Sequence, residues 1–229
     1  MDTGRLGSLD SYGGFRRRLV EALQAKGIRD LAVLHAVSEI PRHLFVPEAA
    51  RHRAYEDSAL PLHSGQTISQ PWIQARSLEL LQLKGSERVL EVGAGSGYQT
   101  ALLTKLATAV FSIERLPALA QGAKQALAQA GITTVNLMVG DGTLGWRAYA
   151  PFEAIVVAAA FDTPPAPLLE QLSPRGRMVM PISGGAGQVL TLFTKSDDGL
   201  RITSTPIVEV RFVPLLGRHG AATGDNGVT

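Results

Sequence analysis

The chain contains no cysteine. Disulfides, thiolate nucleophiles and zinc–thiolate centres are therefore excluded, and nothing in the residue usage points to export. Long apolar runs are also missing. The longest are strand-length, too short for a membrane-spanning helix. Residues 1–15, "MDTGRLGSLDSYGGF", lack the apolar segment of a secretory signal, so a cytoplasmic location is expected. Charge is scarce: 18% of residues against 45% hydrophobic, with a net charge of only +2. Basic residues cluster only in "RRR" at 16–18 and "RHR" at 51–53, and aromatics make up just 6%. A nucleic-acid partner would require a continuous basic stripe with interleaved aromatics, so these clusters read as solvated helix faces.

What is present is enough for one well-buried core in 229 residues. From Arg88 onward strand-like and helix-like patterns alternate: "RVLEV" (88–92), helix 98–107, "AVFSIE" (109–114), helix 116–131, "VNLMVG" (135–140), "EAIVVAAA" (153–160) and a short helix at 165–172. Three further strands, at 176–182, 189–195 and 202–215, follow without helices between them. Continuous apolar strands between helices predict a doubly wound α/β fold, a mostly parallel sheet with an antiparallel edge. Amphipathic helices before that point predict a helical cap over 16–83 on an α/β core of 84–217, one domain in all. Residues 1–15 and the tail 218–229 are expected to be flexible.

The three glycines of "EVGAGSG" raise the question of a ligand. Gly93, Gly95 and Gly97 follow a strand and open a helix, at the carboxyl edge where α/β sheets bind ligands. A dinucleotide-binding turn would place its third glycine at 98, which is Tyr98. The bare alternative is a tight strand–helix turn. Glu114 ends the next strand 21 positions after Gly93, where an acid can accept from both ribose hydroxyls. Asp141 and Gly142 follow the third strand, with Asp141 expected near an adenine amino group. Glu91, one step before the glycines, suits a cationic amino acid better than a pyrophosphate. Ribose, adenine and ammonium without phosphate describe S-adenosylmethionine rather than NAD.

"GQTISQP" (65–71), "VLEVGAGSGYQTA", "SIER", "GDG" with Trp146, "APFEAI" and "VRFVPL" stand in order along the chain. In this set and spacing, from about Arg16 to Gly217, the sequence resembles the bacterial protein-L-isoaspartate O-methyltransferases. The resemblance implies a seven-stranded methyltransferase fold with an N-terminal helical addition. It implies S-adenosylmethionine as methyl donor, with isoaspartyl residues of damaged proteins and peptides as acceptors. It assigns Ser69 to hold the substrate carboxylate, and Thr67, Ile68 and the segment Val210–Pro214, with Val213, to line the peptide groove. It suggests a monomer. Glu153, Ala158 and Trp72 depart from the family's usual residues, and Trp72 is expected to reshape the groove.

A carboxylate is already ionised near neutral pH, since its ordinary pKa is near ~4. Methyl transfer to it requires alignment rather than a general base, which fits a chain whose five histidines fall in no catalytic pattern. Ser69 precedes Pro71 and a helix, so it is also a candidate helix cap. Two other functions stay open on the residues: a methyltransferase with a different acceptor, and a non-catalytic methyltransferase-like binding module. Asn226 followed by Gly227 is a deamidation-prone pair, since Gly227 does not hinder ring closure.

Overall fold

The computed structural model describes residues 12–185 and 187–222. Asn226 and Gly227 lie outside the described residues. Two helices, α1 (Gly13–Ala25) and α2 (Leu31–Glu39), open the fold. The first is followed by Gly27 at φ +96°, and the second begins at Asp30, whose carboxylate accepts from the N–H groups of Ala32 and Val33. Short 3-10 turns lead to a two-stranded antiparallel ribbon of β1 (Leu60–Pro61) and β2 (Thr67–Ile68). Pro71 then occupies the first turn of α3 (Pro71–Leu81).

The α/β portion runs β3 (Arg88–Val92), α4 (Tyr98–Leu103), β4 (Ala109–Glu114), α5 (Pro117–Gln129), β5 (Asn136–Val139), β6 (Phe152–Val157), α6 (Ala166–Glu170), β7 (Leu172–Gly184), β8 (Gly187–Lys195) and β9 (Ile202–Val210). Seven strands form one sheet in the order β5-β4-β3-β6-β7-β8-β9. The first five are parallel; β8 and β9 are antiparallel additions. The doubly wound, mostly parallel sheet with an antiparallel edge is therefore what the alternation predicts.

Alternation along each strand divides the core into two layers. Val89, Val110, Val156 and Val179 face α1–α3 and α4, and join Leu23, Ile28, Val33 and Leu78 in one apolar cluster. Leu90, Phe111, Ile113, Ile155 and Met178 face the opposite side and meet Leu168 and Leu172. The helical cap thus shares its core with one face of the sheet. Strand order reverses between β3 and β6, so the connections leaving their paired carboxyl ends run in opposite directions and leave a crevice.

Candidate active site

Gly93 closes β3 with φ +91°, and its N–H reaches the Ile113 carbonyl of β4 at 2.8 Å. The turn then rises over the crevice, and Gly93 and Gly95 line a cavity enclosing about 950 Å³ of atom-free space, part of it open to solvent. Gly97 does not line it. Its φ is +85°, and a Cβ there would come within 3.1 Å of the Ala123 Cβ, so this glycine lets α4 and α5 pack closely. Gly142 lines the cavity, and a Cβ on it would overlap Val92.

Glu114 sits in the wall as expected, buried to 6% exposure. One carboxylate oxygen accepts from the Gly95 N–H and the other from the Leu116 N–H, each at 2.9 Å. The acid therefore ties the glycine turn to the loop after β4 and keeps lone pairs for a diol. Two other acids stand elsewhere than expected. The Glu91 side chain shares the face of Val89 and points beneath the turn, fully buried and absent from the lining. It accepts from Thr100 Oγ1 (2.5 Å), Ser112 Oγ (2.6 Å) and Gln99 Nε2 (3.2 Å). Burial raises its pKa to about 7 against these three donors. It cannot touch an ammonium in the cavity directly. Asp141 is also absent from the lining. Its carboxylate accepts from the N–H and hydroxyl of Thr143 and from the Arg218 N–H at 2.7 Å. Partial burial pushes its pKa up, but the Arg218 and Thr143 donors outweigh this and leave it lowered.

That last contact belongs to a segment the sequence predicts to be flexible. The Ala160 N–H donates to the Val213 carbonyl and the Leu215 N–H to the Ala160 carbonyl, laying 213–215 beside the end of β6. Residues 217–221 then turn over Asp141, with the Ala221 N–H returning to the Leu215 carbonyl. Residues 218–221 are therefore held against the loop after β5.

Ser69 lies where this cavity meets a second, shallower groove. Both are lined by Thr67, Ser69 and Phe212; Val210 belongs to the groove alone, whereas Ile68 and Val213 belong to the first cavity. No side chain caps α3, whose N-cap residue is Gln70, so the capping alternative for Ser69 does not apply. Its carbonyl accepts from Arg42 Nη2 at 2.9 Å. Arg42 is fully buried, its guanidinium 4.7 Å from the Tyr98 ring centroid, and burial lowers its pKa to about 10, so it remains a cation at neutral pH. Its Nη1 donates to Gln74 Oε1 at 2.9 Å.

Trp72 does not shape the groove. Its indole N–H donates to the Lys26 carbonyl at the end of α1, and its ring packs on the cap's core. The Glu153 carboxylate accepts from the Arg88 N–H at the opposite end of the sheet, while Ala158 borders the cavity beside Gly93. His43, one of the histidines in no catalytic pattern, is buried and stacked on Tyr12, with its Nδ1 2.7 Å from the Tyr55 hydroxyl. Sequence reasoning missed Arg42, Gln74 and Gln99. An arginine set between apolar residues in "IPRHLF" was the available signal for the first.

A glycine turn at the switch point, a ribose-competent acid after the second strand and a seven-stranded sheet with an antiparallel edge define an S-adenosylmethionine-dependent methyltransferase. Tyr98 stands where a dinucleotide-binding turn would place its third glycine. More narrowly, the chain belongs to the protein-L-isoaspartate(D-aspartate) O-methyltransferase family, whose model matches residues 15–220. It is 52% identical over 204 residues to protein-L-isoaspartate O-methyltransferase 1 of Anaeromyxobacter sp. (strain Fw109-5), covering 88% of this chain and 96% of that one. Among solved structures it resembles a protein-L-isoaspartate O-methyltransferase with a TM-score of 0.79 at 30% identity, covering 90% of this chain and 67% of the other. It also resembles a putative protein-L-isoaspartate O-methyltransferase of Plasmodium falciparum in complex with S-adenosyl-L-homocysteine. There the TM-score is 0.75 at 25% identity, covering 88% of this chain and 98% of that one.

Proposed function

We propose that this chain methylates the free α-carboxylate of L-isoaspartyl residues in damaged proteins and peptides, initiating their repair. The observation that carries this reading is the junction at Ser69, which lines both the cavity beside the glycine turn and the neighbouring groove. Glu114 would hold the ribose, with the glycine turn and Gly142 beside it. Bound S-adenosylmethionine supplies an activated methyl group on a sulfonium. The chain's own task is to bring a carboxylate oxygen in line with it and exclude water.

Ser69 does the aligning. Its backbone is fixed by Arg42, and its hydroxyl is free to donate one hydrogen bond to the incoming carboxylate without competing as a base. The nucleophile's negative charge and the sulfonium's positive charge both diminish at the transition state, so a cavity walled by Ile68, Val92 and Val213 favours the reaction over the separated ions. Thr67, Val210 and Phe212 would receive the peptide on either side. The backbone nitrogen of the following residue then attacks the ester and expels methanol, and hydrolysis of the resulting succinimide returns a fraction of the molecules to normal aspartate without further enzymatic help. Both compartments are built from one chain, which supports action as a monomer. The deciding experiment is methylation of an isoaspartyl peptide beside its aspartyl twin. Transfer to the first and none to the second is expected, and equal transfer would overturn the acceptor assignment.

A further inference from the structure

Two glutamine side chains enter the cavity near the glycine turn, and both are buried: Gln74 from α3, at 6% exposure, and Gln99 from α4, at 7%. An amide has one accepting end and one donating end, and here a buried charge chooses which end each turns away. Arg42 has only donors, so the Gln74 carbonyl oxygen must face it, at 2.9 Å. The Gln74 NH2 group is left for the cavity. Glu91, when ionised, has only acceptors, so the Gln99 NH2 group must face it, at 3.2 Å. The Gln99 carbonyl oxygen is left for the cavity. Among the described residues, the buried side-chain nitrogen and oxygen atoms without a partner are Arg42 Nε, Arg51 Nε and Tyr98 Oη. Neither free amide end is among them, and both residues line the cavity.

One donor end and one acceptor end, presented from two helix starts, match a zwitterion. We infer that Gln74 and Gln99 are the recognition pair for the methionine end of the methyl donor: the Gln74 amide donates to its carboxylate and the Gln99 carbonyl accepts from its ammonium. Arg42 and Glu91 act behind them as positioning residues. Each sets an amide's direction without touching the ligand, and each is fastened in turn, Arg42 by the Ser69 carbonyl and Glu91 by the hydroxyls of Thr100 and Ser112. A bare arginine and glutamate in the cavity would match the same zwitterion, but two amides carry the preference without placing a formal charge near the sulfonium. Glu91 thus serves the cationic group for which its position suggests it, one side chain removed. The inference rests on S-adenosylmethionine being the methyl donor and adds which residues read its amino-acid end.

The test is calorimetric titration at pH 8, above the value of about 7 at which Glu91 titrates. Wild type, Gln74→Met and Gln99→Met are titrated with S-adenosylhomocysteine, with its decarboxylated analogue (ammonium only) and with methylthioadenosine (neither group). Methionine keeps the length and packing of glutamine without its amide. Gln74→Met should bind S-adenosylhomocysteine at least ~10-fold more weakly and the decarboxylated analogue as wild type does. Gln99→Met should weaken both of those at least ~10-fold and leave methylthioadenosine unchanged. Equal losses for all three ligands would make the glutamines merely structural and overturn the inference, as would no loss at all. Failure of wild type to bind any adenosyl ligand would instead defeat the cofactor reading beneath it. Should a variant not fold, the side-chain amide NMR signals of the wild type decide. The Gln74 NH2 pair should move with S-adenosylhomocysteine and stay still with the decarboxylated analogue, and identical responses to the two would refute the assignment.

Discussion

Replacing Glu91 by glutamine isolates the energetic consequence of burying an acid under the glycine turn. Burial raises the Glu91 pKa from an ordinary 4.5 to about 7, even with hydrogen bonds from Ser112, Thr100 and Gln99, while Glu114 adds repulsion. Between those two pH values the folded chain holds a proton that the unfolded chain has released. The stability linked to Glu91 is therefore fully present below pH 4.5 and is lost as pH rises through 7. At ~1.4 kcal/mol per pH unit, the whole loss is about 3 kcal/mol. Glu91→Gln has nearly the same shape and cannot titrate. Thermal melts of both proteins across pH 5 to 8 should show the wild type losing about 2–3 kcal/mol more than the variant. For a chain of this length that corresponds to roughly 4–12 °C in relative melting temperature. The comparison is between slopes, so any constant effect of the substitution drops out. Parallel curves would refute the reasoning. A carboxyl 13C titration of Glu91 provides an independent reading, with a midpoint well above the ordinary value expected.

Three further outcomes follow from the site. Glu114→Ala should weaken S-adenosylhomocysteine binding at least ~10-fold in titration, since charge-assisted hydrogen bonds contribute roughly 1.5–3 kcal/mol each, and unchanged affinity would place the ribose elsewhere. Ser69→Ala should bind the methyl donor as the wild type does and melt within a few degrees of it, yet turn over at least ~10-fold more slowly, a loss of about 1.4 kcal/mol in transition-state stabilisation. Wild-type turnover in that variant would remove Ser69 from the reaction. Aged protein should carry isoaspartate at Asn226, next to Gly227. With labelled S-adenosylmethionine it should acquire label in that peptide at a rate per molecule that rises with protein concentration. Confirmed isoaspartate there without label, in active enzyme, would count against the acceptor.

The sheet was legible because its strands are mostly apolar, strand-length runs set between helical periods, and a run such as "RVLEV" has few other ways to be buried. Glu114 was legible for a related reason: its place at a strand's carboxyl end is a matter of topology. Glu91 was not. The same alternation that buries Val89 carries residue 91 to the face covered by α4, and the groups that satisfy it come from positions 99, 100 and 112. Their convergence is visible only after folding. Trp72 was misread because a helix start near a groove says nothing about which way an indole turns, and the Lys26 carbonyl supplied a partner on the other side. For Asp141 and the last described residues, the missing information was a contact spanning 77 positions, from Arg218 back to Asp141.

The closing segment that lies beside β6 and turns over Asp141 has a bearing on synthesis. A chain growing from its N-terminus completes the glycine turn, Glu114 and the Ser69 loop long before residues 212–221 exist. Until those residues arrive, the cavity lacks the wall formed by Phe212, Val213, Leu215 and Leu216, and Asp141 lacks its Arg218 partner. Contacts between chain regions so far apart are also slow to form, because closing a long loop costs conformational entropy before any contact rewards it. A methyl donor seated in this cavity would bridge early and late segments, and so would stabilise this final closure by mass action.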